Sequence, residues 1–331
     1  MKITKPAYFD NFKCIADRCP DCCCKEWAVQ VDPVSAEFYR NLPGALGDRL
    51  RQVLVEEDGE TIMAIENRRC PMWQQDGLCR IQAALGHDAL CKTCRNFPRL
   101  THDYGNFAEL GLELSCPEAA RLILADTAGA MVTTVAEGDE SADYDTEAME
   151  ILLNTREYAL SLLADPAYTP NQALALLLVY GYQAQQILDG DESPEFDPQA
   201  ILEQAAQIGK PAKAQDCFRF FETLEILNPT WAQRLQNPGT PLLWLEEFRS
   251  LARYFVCRYW LQAVADYDLV CRVKLAVISC LMIRNLGGDL VQTAQSYSKE
   301  IENDVDNIDA ILDAAYESPV FTDDKLLGML L

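Results

Sequence analysis

Ten cysteines crowd the first 116 residues: Cys14, Cys19, Cys22, Cys23, Cys24, Cys70, Cys79, Cys91, Cys94 and Cys116. Five of them fall within the eleven residues from 14 to 24. Core packing does not call for such density, so these thiols are placed either for disulfides or for ligation, and the compartment decides which. The opening MKITKPAYFDNF is polar and broken by Pro6, with no apolar core, which predicts no secretory signal. The longest apolar runs, 173–180 and 275–283, fall short of the ~18 residues that span a bilayer. Together these features predict a cytoplasmic protein with no membrane segment. Thiols there stay reduced, and a dense cluster reads as metal-binding. The remaining four, Cys217, Cys257, Cys271 and Cys280, lie in apolar, helix-like text and read as ordinary buried thiols.

The early cysteines form three groups: Cys14-x4-Cys19-x2-Cys22-Cys23-Cys24, Cys70-x8-Cys79, and Cys91-x2-Cys94 with Cys116 beyond. A Cys-x2-Cys turn lets two thiolates face one ion, so Cys91 and Cys94 are the strongest local pair. Cys19, Cys70 and Cys116 each precede a proline. Proline biases the residue before it toward extended backbone, and Cys-Pro occurs in ferredoxin-type cluster motifs. Pro117 opens a helix, so Cys116 falls at its N-cap, where the positive end favours thiolate over thiol. Arg18, Lys25, Arg68, Arg69, Arg80, Lys92, Arg95 and Arg99 are interleaved and offset the charge of a thiolate site. Adjacent Cys23 and Cys24 do not fit comfortably on one tetrahedral zinc. Spacing alone leaves zinc and an iron–sulfur cluster both open, and one site or two.

The fold reads as mainly α, with a cysteine-rich N-terminal domain (1–135) holding a few short strands and an all-helical C-terminal domain (146–331). Strands are expected at 27–31, 61–66 and 107–114. Asp32-Pro33 reads as an N-cap with proline at the first helical position, opening a helix over 34–42. A helix over 78–85 should stop at Gly86, and Asp88 should cap the turn carrying Cys91 and Cys94. Pro117 should open a long helix over 118–135. The polar stretch 136–145, AEGDESADYD, marks the boundary. Beyond it, 146–163, 172–188, 198–208, 214–227, 242–267 and 269–285 place apolar residues three and four apart. An acidic segment at 300–313 precedes a tail expected to dock loosely.

The chain carries 28 basic and 51 acidic residues, a formal charge of −23. Through residue 120 there are 14 basic and 18 acidic; the remainder holds 14 and 33. Nucleic acid is an unsuitable partner for such a surface, whereas a basic, lysine-bearing protein is attracted. The plainer reading of the acidity is a well-solvated helical surface. The only histidines are His87 and His102, and His102 reads as a surface loop residue. No Gly-x-Ser-x-Gly elbow, Walker loop or Gly-x-Gly-x-x-Gly run is present, so neither a hydrolase nucleophile nor a dinucleotide loop can be read.

These motifs together resemble the flagellin lysine-N-methylase family, often called FliB, related in cysteine pattern to small CxxCxxCC metal-chelating proteins. The resemblance rests on Pro6-x-Tyr8, Phe12-x-Cys14, Cys19-Pro20-Asp21 before Cys23-Cys24, Trp27, Arg69-Cys70-Pro71 and Gly77-Leu78-Cys79. It continues through Leu90-Cys91-x2-Cys94-Arg95, Pro98-Arg99 and Ser115-Cys116-Pro117-Glu118. It is close over residues 5–125 and loose beyond. Cys22 stands where the family commonly has threonine, and Glu26 where glycine is common.

The resemblance implies a 4Fe–4S cluster, with zinc as the alternative metal, ligated from among Cys14, Cys19, Cys23, Cys24, Cys70, Cys79, Cys91, Cys94 and Cys116. It also implies S-adenosylmethionine as cofactor and methylation of lysine ε-amino groups on a flagellin-like protein. Trp27, Trp73 and Tyr8 are candidate cofactor contacts, because aromatic faces attract a sulfonium or methylated ammonium. The plainer reading of each is core packing. No catalytic residue is legible.

Overall fold

The computed structural model describes residues 1–331 except 22, 24, 26, 27, 58 and 138–140. Its contacts divide the chain into two compact units, Phe12–Leu100 with Cys116–Glu118, and Met1–Asn11, Thr101–Ser115 and Ala119–Leu331. Those lines differ from a single linear cut at 136–145, because strands from the chain start and from 99–135 pair with one another. The first strand, β1 (Lys2–Pro6), belongs to the larger unit.

The smaller unit holds β2 (Val29–Gln30), α1 (Pro33–Asn41), α2 (Gly44–Val53), β3 (Leu54–Glu57), β4 (Glu60–Met63), α3 (Arg80–Leu85) and α4 (Lys92–Asn96). Its three strands form an antiparallel sheet in the order β2-β4-β3. Asp32 caps α1 as the sequence suggests, its Oδ1 accepting from the Ser35 amide at 3.0 Å. Its Oδ2 accepts from the Lys92 amide at 2.8 Å. One carboxylate therefore caps two helices, and the cap of the Cys91–Cys94 turn is Asp32 and not Asp88, which sits in a 3₁₀ turn, His87–Ala89. The α3 helix stops at Gly86, whose φ of +87° is costly for any other residue. The core comprises Val29, Val31, Ala36, Tyr39, Leu50, Val53, Met63, Met72, Ile81 and Leu90 together with Cys70 and Cys91; Cys79 and Cys94 pack against it.

The larger unit carries a four-stranded sheet in the order β5-β6-β1-β7, with β5 at Arg99–Asp103, β6 at Phe107–Leu112 and β7 at Met131–Val135. β1 runs parallel to β6 with Lys2 opposite Phe107, and antiparallel to β7 with Lys2 opposite Val135. The long helix expected over 118–135 is thus corrected. α5 (Pro117–Ala125) ends at Ala125, and the β-branched text of 131–135 finds a strand partner at the chain start.

Ten further helices follow among the described residues: α6 (Thr146–Ala164), α7 (Pro170–Leu188), α8 (Pro198–Ile208), α9 (Ala214–Phe221), α10 (Pro229–Gln236), α11 (Glu247–Tyr259), α12 (Val270–Leu286), α13 (Leu290–Ile301), α14 (Val305–Glu317) and α15 (Asp323–Leu330). α12 is central and buried all round, with every residue except Arg284 buried. The C-terminal tail does not dock loosely. Phe321, Leu326, Leu327 and Leu330 are buried, each worth about 1.5–3 kcal/mol. α15 approaches closely enough that a Cβ on Gly328 would meet the Lys210 carbonyl oxygen at 1.9 Å. Among the described residues, no helix is long and apolar enough to cross a membrane.

Candidate functional site

The smaller unit gathers most of the early cysteines, and no disulfide joins any of the described cysteines. Cys24 and Trp27 lie outside the described residues, as does Cys22. Met72–Arg80 folds as a hairpin: the Arg80 amide donates to the Met72 carbonyl at 2.8 Å, and Gly77, at φ +83°, turns the tip. Trp73 and Cys79 bridge across it, so Cys79 is returned toward Cys70. The Asp32 cap fixes the start of α4, which sets Cys91 and Cys94 on one turn.

The thiols interact across these segments. Cys94 donates to Cys91, and that bond outweighs burial to bring the Cys91 thiol down to about 7. The same bond, with burial and the neighbouring Cys70 and Cys23, holds the Cys94 proton tightly. Burial raises Cys79, and Cys70 and Cys23 add to the rise. Burial likewise raises Cys19, helped by Cys14 and Cys23. Cys23 therefore joins the N-terminal group to the Cys70, Cys79, Cys91 and Cys94 group. Cys70 also donates to the Met63 sulfur at 3.4 Å. Cys116 is buried in the same unit. Among the described residues, no three His, Cys, Asp or Glu side chains already form a cation cage. The donor chemistry, soft sulfur drawn from separate segments, nonetheless fits a thiophilic group such as zinc or an iron–sulfur cluster.

The three aromatic candidates do not share one unit. Trp73 lies beside the cysteines with the Arg69 guanidinium 3.9 Å above its ring, so one face is already occupied by a cation. Tyr8 belongs to the larger unit, where burial, Cys257 and Asp126 push its hydroxyl up against the opposing pull of Arg253.

Tyr8 leads to a second constellation that no sequence motif announced. α11 presents Arg253, Tyr254, Cys257 and Arg258 on one stripe, and this polar stripe is met by carboxylates from other elements. Arg156 on α6 grips Glu109 on β6 in two bonds of 2.7 and 2.5 Å. Arg258 pairs with the fully buried Glu302 at 3.3 Å. Tyr254 and Tyr259 donate to the same carboxylate at 3.0 and 2.9 Å. Arg253 lies 3.8 Å from Asp126 and also donates to its backbone carbonyl at 2.9 Å. His102 is on strand β5 and is not a loop residue; burial, Arg258 and Arg156 depress its pKa, with Glu109 opposing. Cys257 is not an ordinary apolar thiol either, since Arg156, Glu109, Arg253 and Asp126 surround it. Cys217, Cys271 and Cys280 are buried as expected.

The signal available in the sequence was faint: Arg249, Arg253 and Arg258 fall within ten residues of a half that is otherwise strongly acidic. The acidic partners of Arg253 and Arg258 come from positions as distant as 126 and 302, which spacing does not reveal.

Comparison with known proteins gives the following. The chain is 34% identical over 133 residues to the flagellar biosynthetic protein FliU of Salmonella muenchen, covering 79% of that protein and 38% of this chain. It is 29% identical over 202 residues to a lysine-N-methylase of Salmonella choleraesuis and to one of Salmonella typhimurium, covering 50% of each and 58% of this chain. The chain thus spans about half the length of those two lysine-N-methylases. No family model matches it, and no solved structure matches it.

Proposed function

Because this chain belongs to the family of FliU and the lysine-N-methylases, we propose that it is a protein lysine N-methyltransferase of the cytoplasm. Its substrate is a flagellin-like, lysine-bearing protein, and its methyl donor is S-adenosylmethionine. The similarity to proteins named for lysine methylation carries the reading. The formal charge of −23 supports it, because an acidic surface draws a basic partner and speeds encounter at low salt.

The reaction needs the ε-amine neutral, since its lone pair forms the new bond to the methyl carbon while the sulfonium's C–S bond breaks and leaves its electron pair on sulfur. Desolvation of the lysine and a nearby carboxylate favour loss of the ammonium proton. Holding amine and methyl in line supplies much of the remaining acceleration.

Cys14, Cys19, Cys23, Cys24, Cys70, Cys79, Cys91, Cys94 and Cys116 are the ligand set from which a 4Fe–4S cluster is held. The coupling among Cys23, Cys70, Cys79, Cys91 and Cys94 supports this. A cluster held by these residues would tie four separate segments together, or would offer an iron to anchor the donor.

Incubation with methyl-labelled S-adenosylmethionine and a flagellin should place label on lysine. No label on any lysine-bearing acceptor overturns the enzyme reading. Protein purified without oxygen should show broad visible absorption and contain iron and sulfide; a colourless, zinc-bearing protein overturns the cluster.

A further inference from the structure

The polar row along α11 balances its charges at every position but one. Glu109 has Arg156, Glu302 has Arg258 and Asp126 has Arg253. Among the described residues Glu113 has no ion-pair partner, and its carboxylate accepts only from the Ser115 hydroxyl at 3.1 Å. Three guanidiniums therefore meet four carboxylates, and the surplus negative charge rests on Glu113.

Its position is also fixed. β6 ends at Leu112, one residue before it. The Leu114 amide donates to the Tyr254 hydroxyl at 3.4 Å, and Gln295 donates to the Ser115 carbonyl at 2.9 Å. The backbone on both sides of Glu113 is thus tied down, to α11 and to α13. β1 and β6 are parallel, so Tyr8, just past β1, and Glu113, just past β6, leave the sheet at the same end. Glu113 keeps partial solvent access, whereas Glu109 and Glu302 are buried.

We propose that Glu113 is the residue that receives the substrate lysine's ε-ammonium and takes its proton, with Tyr8 and the α11 row forming the rest of that site. This deepens the methyltransferase reading and rests on it. The ammonium N–H bond breaks, the proton passes to a Glu113 carboxylate oxygen, and the electron pair stays on nitrogen as the nucleophile. A surplus carboxylate is complementary to the cation before transfer, and a half-buried one makes a stronger base. Burial raises the Glu113 carboxyl, Arg258 and Ser115 pull it down, and Glu302 raises it again. Those residues and Tyr254 are the groups that face it.

The test uses Glu113→Gln, which keeps the size and the Ser115 contact, and Glu113→Asp, which keeps the charge. In methyl transfer to flagellin, Glu113→Gln should lower kcat by about 10²–10⁴-fold and remove the acid limb of the pH–rate profile. Glu113→Asp should recover part of the rate. Independently of any transfer, calorimetric titration with Nα-acetyl-lysine methylamide should show binding to the unaltered protein and at least a tenfold loss in Glu113→Gln, at unchanged melting temperature. Equal affinity in both proteins, no binding to either, or a Glu113→Gln rate within threefold of the unaltered enzyme overturns the proposal. Binding that depends on Glu113 without methyl transfer to any acceptor would leave this site standing and overturn the methyltransferase reading instead.

Discussion

The two units solve the problem of interior polarity in opposite ways. The smaller one places thiols in and beside an apolar core, where burial raises Cys19 and Cys79 against the pull of backbone amides, and the Cys91–Cys94 bond brings Cys91 down. The larger one buries formal charges and sets arginines against Glu109, Asp126 and Glu302. Glu302 is enclosed, yet it has Arg258 and two tyrosine hydroxyls. A thiol core is cheap to bury and costs little to alter, unless something binds the sulfur. A buried ion network is costly to build, and removing one member strands the rest.

The largest expected effect follows from that contrast. Arg258→Ala leaves Glu302 buried with no cation, and should destabilise the protein by about 3–5 kcal/mol. Equilibrium unfolding in urea measures it. Arg258→Ala together with Glu302→Leu should recover part of the loss, because both charges then leave the interior. A single substitution costing under about 1 kcal/mol would mean that the pair behaves like a solvated surface bridge, and the contrast between the units would fail.

A smaller effect belongs to Asp32, whose carboxylate caps two helices of the thiol-bearing unit. Asp32→Ala orphans the Ser35 and Lys92 amides together and should cost about 1–2 kcal/mol, with faster hydrogen exchange at both amides. Burial opposes the Asp32 charge, but the Lys92 and Ser35 bonds outweigh it and lower its pKa to about 2. An unfolded aspartate titrates near 4. The carboxylate's stabilisation is therefore complete above about pH 4 and is lost as pH falls through about 2. Asp32→Ala should lose that part of the acid dependence; an unchanged acid transition between those values would show the cap to be idle.

Asp32 also illustrates what the sequence could and could not disclose. The Asp-Pro dipeptide announces a helix start locally, and α1 begins at Pro33 as read. α8 likewise spans 198–208 as read, because Asp197, Pro198 and the apolar period all lie in one short stretch. The text at 131–135 does not announce its strand locally, because its partner, β1, lies about 130 residues away and strand pairing is invisible to local period. The cysteines declared themselves because thiols are rare and their spacing is chemical. Glu113 did not, since one acid among 51 acquires meaning only when the three neighbouring acids find arginines and it does not. The mainly α class was legible throughout; the four-stranded sheet was not, because two of its strands, β1 and β7, lie at opposite ends of the first 135 residues.

The smallest expected effect sharpens the comparison most. In protein stripped of any bound group, Cys70→Ala removes one small buried sulfur and its 3.4 Å contact to Met63. It adds no charge and leaves no ion stranded, so the loss should be about 1 kcal/mol, far below that of Arg258→Ala. In protein isolated without oxygen, the same substitution should cost several times more if the sulfur ligates, because ligand binding to the folded state adds to stability by linkage. Unfolding curves of both variants, with and without chelator treatment, separate the two cases. Equal losses for Cys70→Ala under both conditions would place Cys70 in the core alone and remove it from the ligand set.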